Sequence, residues 1–207
     1  MKLFGLTVLI LVLVGCVRNE PAAGTSSPNK ETPGVEMRTM ALTTPVDKLG
    51  FSSDSAFPSA YGVLTDWNLG DFTVTILSMR DGTASLYTTS TFGMIGGQSH
   101  ERVRLAAIRY VKEAERHVGA SKPVTDFPYP KPGQVYFYLL TYDGVRRCVG
   151  DETGIERGSD PTRPLFAAAQ DVMTELRLLM EHGDAGGTGP AALDEPDRAG
   201  TGGDSEG

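Results

Sequence analysis

Two Asp-Gly pairs, Asp81-Gly82 and Asp143-Gly144, constrain this chain more than anything else in it. Each follows a run rich in β-branched and aromatic residues, "FTVTILSM" before the first and "VYFYLLTY" before the second. Asp-Gly suits the positive-φ positions of a tight hairpin, so each pair turns the chain back and makes the flanking strands antiparallel neighbours. "ASLYTT" and "VRRCVG" supply the returning strands, and "YGVLTDW" reads as a further strand ahead of the first hairpin. No βαβ crossover is implied.

Two segments carry helical spacing instead. Between Ser99 and Val118, residues Val103, Ala107, Tyr110, Val111, Ala114 and Val118 share one face, with Ser99 as N-cap and Gly119 as C-cap. Near the carboxyl end, Leu165, Phe166, Ala169, Val172, Met173, Leu176, Leu179 and Met180 do the same. Asp160-Pro161 opens that helix and Gly183 closes it. The expected order is β-β-β-α-β-β-α: an α+β domain with a single antiparallel sheet of about five strands and two helices. The domain is expected over residues 57–182.

Superposing the two Asp-Gly turns sets Ile76-Leu77 over Tyr138-Leu139, which suggests an internal duplication. The layout of hairpin, helix, hairpin, helix loosely resembles the roadblock/longin and profilin-like sandwiches. That resemblance implies an interaction module, often dimeric. The stretches "DGTASLY", "IGGQSHE" and "FPYPKPGQVYFYLLTYDGV" are similar to segments of uncharacterised bacterial proteins and imply no chemistry.

The first residues have another purpose. Lys2 precedes an apolar run, Leu3 to Val14, interrupted only by Gly5 and Thr7. About a dozen apolar residues suit a secretion signal and fall short of the ~20 needed to span a bilayer. The run ends in Leu13-Val14-Gly15-Cys16, which resembles the bacterial lipoprotein signal: a small residue, then the cysteine that takes the lipid. Residues 1–15 are then a signal peptide and Cys16 the lipidated amino terminus, held by more than one acyl chain. The resemblance places the protein in the bacterial cell envelope. Val17 is not the aspartate associated with inner-membrane retention, so the outer membrane is expected where the host has one. Residues 16–56, rich in Pro, Ser, Thr and Gly, read as a flexible tether. Residues 183–207 read as a disordered acidic tail, with six carboxylates against Arg198 alone. With a formal net charge of −7, the chain offers no basic field for nucleic acid.

Candidate sites are few. The loop "FGMIGGQSH" places Gly93, Gly96, Gly97, Ser99 and His100 between a strand and a helix start, where free amides can hold an anion. No lysine follows the glycines, and Glu101 stands where a nucleophile elbow has its last glycine. A Ser99/His100/Asp126 hydrolase triad can be written but not supported by spacing. Cys148 lies beside Arg146 and Arg147, which would favour a thiolate, against the commoner outcome of a small buried residue. The strand from Val135 to Tyr142 is apolar on both faces: Val135, Phe137 and Leu139 on one, Tyr136, Tyr138 and Leu140 on the other. The second set needs a cover, either from the same chain or from a protein partner or second copy. No metal-ligand cluster and no cofactor motif is present in the sequence. The leading expectation is a membrane-anchored, non-catalytic protein-interaction module. The alternative is a small-ligand or anion-binding protein, or a hydrolase, using the Gly93–His100 loop.

Overall fold

The structure is a computed structural model and describes residues 32–90 and 93–183. Cys16, the signal segment, Phe92 and the acidic tail lie outside the described residues. The chain forms one antiparallel sheet, and its class is α+β. The strands are β1 (Ala60–Asn68), β2 (Thr73–Met79), β3 (Ala84–Thr88), β4 (Gly93–Ile95), β5 (Lys122–Pro123), β6 (Gln134–Thr141) and β7 (Gly144–Asp151). The helices are α1 (Pro33–Thr43), α2 (Val46–Leu49), α3 (Glu101–His117), α4 (Glu152–Arg157) and α5 (Arg163–Gly183). The described residues thus hold seven strands and five helices where about five and two were expected. The additions are short edge strands and short helices whose few residues carry no periodic signal. Among the described residues, no helix is long and apolar enough to cross a membrane.

The strand order is β4-β3-β2-β1-β6-β7-β5. β1 lies at the centre, paired with β2 on one side and β6 on the other, and each hairpin extends outward from it. The two Asp-Gly turns differ in length. Ser78 pairs with Ala84, and Met79 N–H donates to Thr83 O, leaving residues 80–82 as the loop. Thr141 pairs directly with Gly144, leaving only Tyr142 and Asp143. One residue of difference inverts the side-chain faces counted back from each turn. Ile76 therefore joins the core beneath α3 and α5 while its aligned counterpart Tyr138 faces the other way.

Both faces of the sheet are covered. On the first face, Val63, Ile76, Leu86, Phe137 and Leu139 meet Val103, Ala107, Tyr110, Val111 and Ala114 of α3 and Leu165, Ala169, Val172 and Leu176 of α5. Val103, Ala107, Tyr110, Val111 and Ala114 of the expected α3 face are thus buried, as are Leu165, Ala169, Val172 and Leu176 of the α5 face, while Val118, Phe166, Met173, Leu179 and Met180 are partly buried. α3 starts at Glu101, however, with His100 rather than Ser99 at its N-cap and no side-chain cap. α5 is preceded by Thr162, whose N–H and hydroxyl both donate to Asp160.

The second face corrects the expected tether. Residues 33–49 are largely helical, and Leu42 packs with Tyr61, Leu64, Leu77, Met79, Tyr87, Tyr138 and Leu140. Met37, Ala41, Val46, Leu49 and Phe51 close over the same cluster, joined by Val124 and Phe127 from the proline-rich connector. The folded unit therefore begins well before residue 57. A sheet apolar on both faces needs a layer on each, and the segment before β1 supplies the second.

Candidate functional site

The glycine loop turns the chain from the β4 edge onto α3. Gly96 adopts φ +84°, a left-handed conformation that glycine reaches without steric cost. Gly97 is required for space: a Cβ there would lie 2.5 Å from Val103 Cγ1 and 2.9 Å from Leu176 Cδ2. The loop's amides are partly committed, since Gly96 N–H donates to Ala84 O at 3.2 Å and His100 N–H to Gly97 O at 3.0 Å. Two of the amides expected to cradle an anion are therefore engaged in the fold.

The same turn opens a groove of about 470 Å³ between the start of α3 and the later turns of α5. Ser99, His100, Glu101, Arg102 and Val103 line one wall, Glu175, Leu178 and Leu179 the other. Arg102 reaches across it, placing Nε 3.0 Å from Glu175 Oε2 and Nη2 3.0 Å from Oε1. Such a two-pronged guanidinium–carboxylate contact holds orientation better than a single one, although Arg102 remains 76% exposed. Val103, Leu178 and Leu179 make the groove apolar between these charges. Ser99 and His100 both line this cavity, and Gly96 and Gly97 shape the turn. Gly93 lies apart, within β4.

Asp126 does not join them. Its neighbours Val124 and Phe127 pack on the second face of the sheet, opposite α3, so the Ser99/His100/Asp126 triad is not assembled.

Of the two covers expected for the face of Tyr136, Tyr138 and Leu140, the structure shows the one from the same chain, not a partner's. Tyr138 and Leu140 are fully buried, and Tyr136 is half-buried. Tyr138 donates its hydroxyl to Pro128 O at 2.5 Å and meets Phe127 edge-on at 5.8 Å. The guanidinium of Arg147 stands 4.9 Å from the Tyr136 ring centre. The chain's own helices and connector occupy the surface offered to a partner, so these residues do not form an open docking face.

Sequence reasoning missed the polar centre under that cover. Arg38, from α1, donates to Asp66 Oδ2 through Nε at 2.8 Å and Nη2 at 2.6 Å. Nη2 also reaches Phe127 O at 2.9 Å, and Thr75 Oγ1 donates to Asp66 Oδ1 at 2.6 Å. The guanidinium lies over Tyr129 at 4.1 Å. Burial pushes the Asp66 carboxyl up, and the bonds from Arg38 and Thr75 pull it back part of the way. For Arg38 burial acts downward, yet Asp66 raises it on balance. This cluster ties α1, the sheet and the connector together and leaves no opening for substrate. Its only sequence signal is an aspartate in mid-strand, which demands a buried counter-charge.

Cys148 is buried beside Phe137, and burial pushes its thiol up, with Arg146 lowering it less than burial raises it. Arg146 is engaged elsewhere, with Nε 2.8 Å from Ser121 Oγ and Nη2 2.6 Å from Ser121 O. His117 lies in the last turn of α3, its Nδ1 3.0 Å from Glu113 O. Among the described residues no group of His, Cys, Asp and Glu side chains has the arrangement of a metal site.

Comparison with known protein families, with curated proteins and with solved structures finds no match.

Proposed function

We propose that this is a bacterial lipoprotein, held in the cell envelope through Cys16, whose folded domain is a non-catalytic protein-binding module. Its binding surface is the groove between His100–Val103 and Glu175–Leu179. The groove's makeup carries this reading: an apolar floor of Val103, Leu178 and Leu179 with charged groups at its rim. Such a surface takes an apolar side chain of a partner while its flanking polar groups meet Arg102, Glu175 and His100. The protein's place in the envelope rests on the apolar run, the small residue and Cys16.

Two substitutions test the halves separately. Cys16→Ala removes the protein from the membrane fraction; unchanged retention refutes the anchor. Leu179→Asp puts a charge on the groove floor and lowers partner binding at least tenfold, as read by capture of the full lipidated protein from its native membranes.

A second reading has one observation in its favour, that Ser99 and His100 both line the groove. On that reading the site holds a small anion or acyl ester. Phosphate binding or esterase turnover that disappears in His100→Ala favours it, and neither in the wild type excludes it.

A further inference from the structure

The sheet ends on β4, which has no strand on its outer side among the described residues. Open edges are usually blunted by proline, lysine or a bulge. The opposite edge is: β5 consists of Lys122 and Pro123. β4, Gly-Met-Ile, carries no such device, and Ile95 is 64% exposed, more than any other large apolar residue described.

The hydrogen-bond phase of this edge follows from one bond. Gly96 N–H donates to Ala84 O, so Gly96–Ala84 is a hydrogen-bonded pair of the antiparallel ladder. Such pairs alternate, which makes Met94–Leu86 the next one along and turns the Met94 amide and carbonyl inward. The N–H and C=O groups of Gly93 and Ile95 consequently point away from the sheet. Their side-chain positions lie opposite Tyr87 and Ser85, on the face where Tyr87 is buried toward α1. On that face a cavity of about 220 Å³ opens beside β4, lined by Pro33, Gly34, Met37, Tyr87 and Ser90 together with Gly93 and Ile95 themselves.

We propose that a second copy of this chain docks on this edge, β4 against β4, antiparallel about a two-fold axis through Met94. In that register Gly93 of one copy faces Ile95 of the other. Each such pair exchanges two main-chain hydrogen bonds, and the symmetry supplies two pairs. The incoming Ile95 side chain lies over a residue with no Cβ and enters the cavity beside Met37. Residues with outward bonding groups, an exposed isoleucine and a glycine-bounded cavity thus complete one another when the strand meets itself. The contact is small, so it is weak between free molecules and effective where lipid anchoring confines copies to one surface. The inference rests on reading the domain as a protein-binding module and names one partner for it, at a surface separate from the α3–α5 groove.

Oxidative cross-linking of the full chain in its native membranes tests the register. Met94 and its symmetry mate form a non-hydrogen-bonded pair, with Cα atoms about 4.5 Å apart, inside the range a disulfide spans. Met94→Cys is expected to give a cross-linked dimer. Met40→Cys, on α1 and 55% exposed, is expected to give none. Adding Ile95→Lys to Met94→Cys should reduce the dimer at least tenfold, and so should adding Gly93→Val. A Cβ at Gly93 meets only ordinary contacts within its own copy, the nearest being Leu86 O at 3.5 Å, so the added side chain starts without a clash, and the variant's melting is compared with wild type to show that the monomer is intact. Equal cross-linking of the two cysteine variants, a dimer indifferent to Ile95→Lys, or a cross-link to a different protein each overturns the proposal. None of these results alters the outcome of the groove variants, so the two readings fail independently.

Discussion

Arg38 and Asp66 show how much a single buried pair decides here. Asp66 is fully buried in the central strand, and Arg38 arrives from a helix 28 positions earlier in the chain. Removing one member strands the other's charge in a low-dielectric interior, at a cost of about 3–5 kcal/mol. Arg38→Met is expected to lose that much in urea unfolding, and Arg38→Met with Asp66→Asn to recover most of it. A single variant within about 0.5 kcal/mol of wild type would show that the pair does not fasten α1. Asp160 behaves oppositely with pH. Burial acts upward on its carboxyl, but hydrogen bonds from the Thr162 hydroxyl and from the Asp151 and Thr162 amides outweigh it and hold the group below the usual range. The folded state therefore binds this proton less tightly than the unfolded one. The resulting stability is present above the ordinary aspartate value and disappears as pH falls through the lowered one. Asp160→Asn should unfold more easily at neutral pH, and its difference from wild type should vanish in acid. Cys148, in a Cys16→Ala chain, should react with a thiol reagent only at the rate of unfolding; rapid labelling of the native protein would contradict its burial. In the sequence Asp160 was legible as the start of the last helix and Cys148 as a buried small residue, whereas the Arg38 partner of Asp66 was not. A pair formed across the fold leaves no local pattern.

At the level of elements, the hairpins and the two long helices were legible because their signals are local. Asp-Gly turns, alternation, and repeated apolar positions over 17 residues of α3 and 21 of α5 each specify structure over a short range. α1 was not. It spans only 11 residues, and its apolar positions include Met40, which is exposed, while its buried positions include Arg38. Proline, threonine and glycine around it give the composition of a linker, and only packing against the sheet makes it a helix. A chain beginning at residue 57 is therefore expected to lose cooperative thermal unfolding and to aggregate through Leu64, Leu77, Tyr138 and Leu140. A chain beginning at residue 32 should melt like the full protein. Equal behaviour of the two would restore the earlier boundary.

Across the whole molecule, one physical fact organises the rest: a sheet apolar on both faces, with helices beneath and an amino-terminal layer above. That second layer accounts for the residues that read as a docking face, and it moves the open surface to the ends of the elements. The groove at the α3–α5 end was half legible. The sequence marked Ser99 and His100, but the opposite wall comes from Glu175 and Leu179, more than 70 residues further along. Only the fold brings them together. In the proposed function this groove is where the anchored module meets its partner. The most direct test is parallel capture of the full lipidated protein, Leu179→Asp and Met40→Asp from native membranes, each variant first shown to melt within a few degrees of wild type. The expected result is a partner retained by wild type and by Met40→Asp and lost from Leu179→Asp. The same partner on all three, or on none, would contradict it.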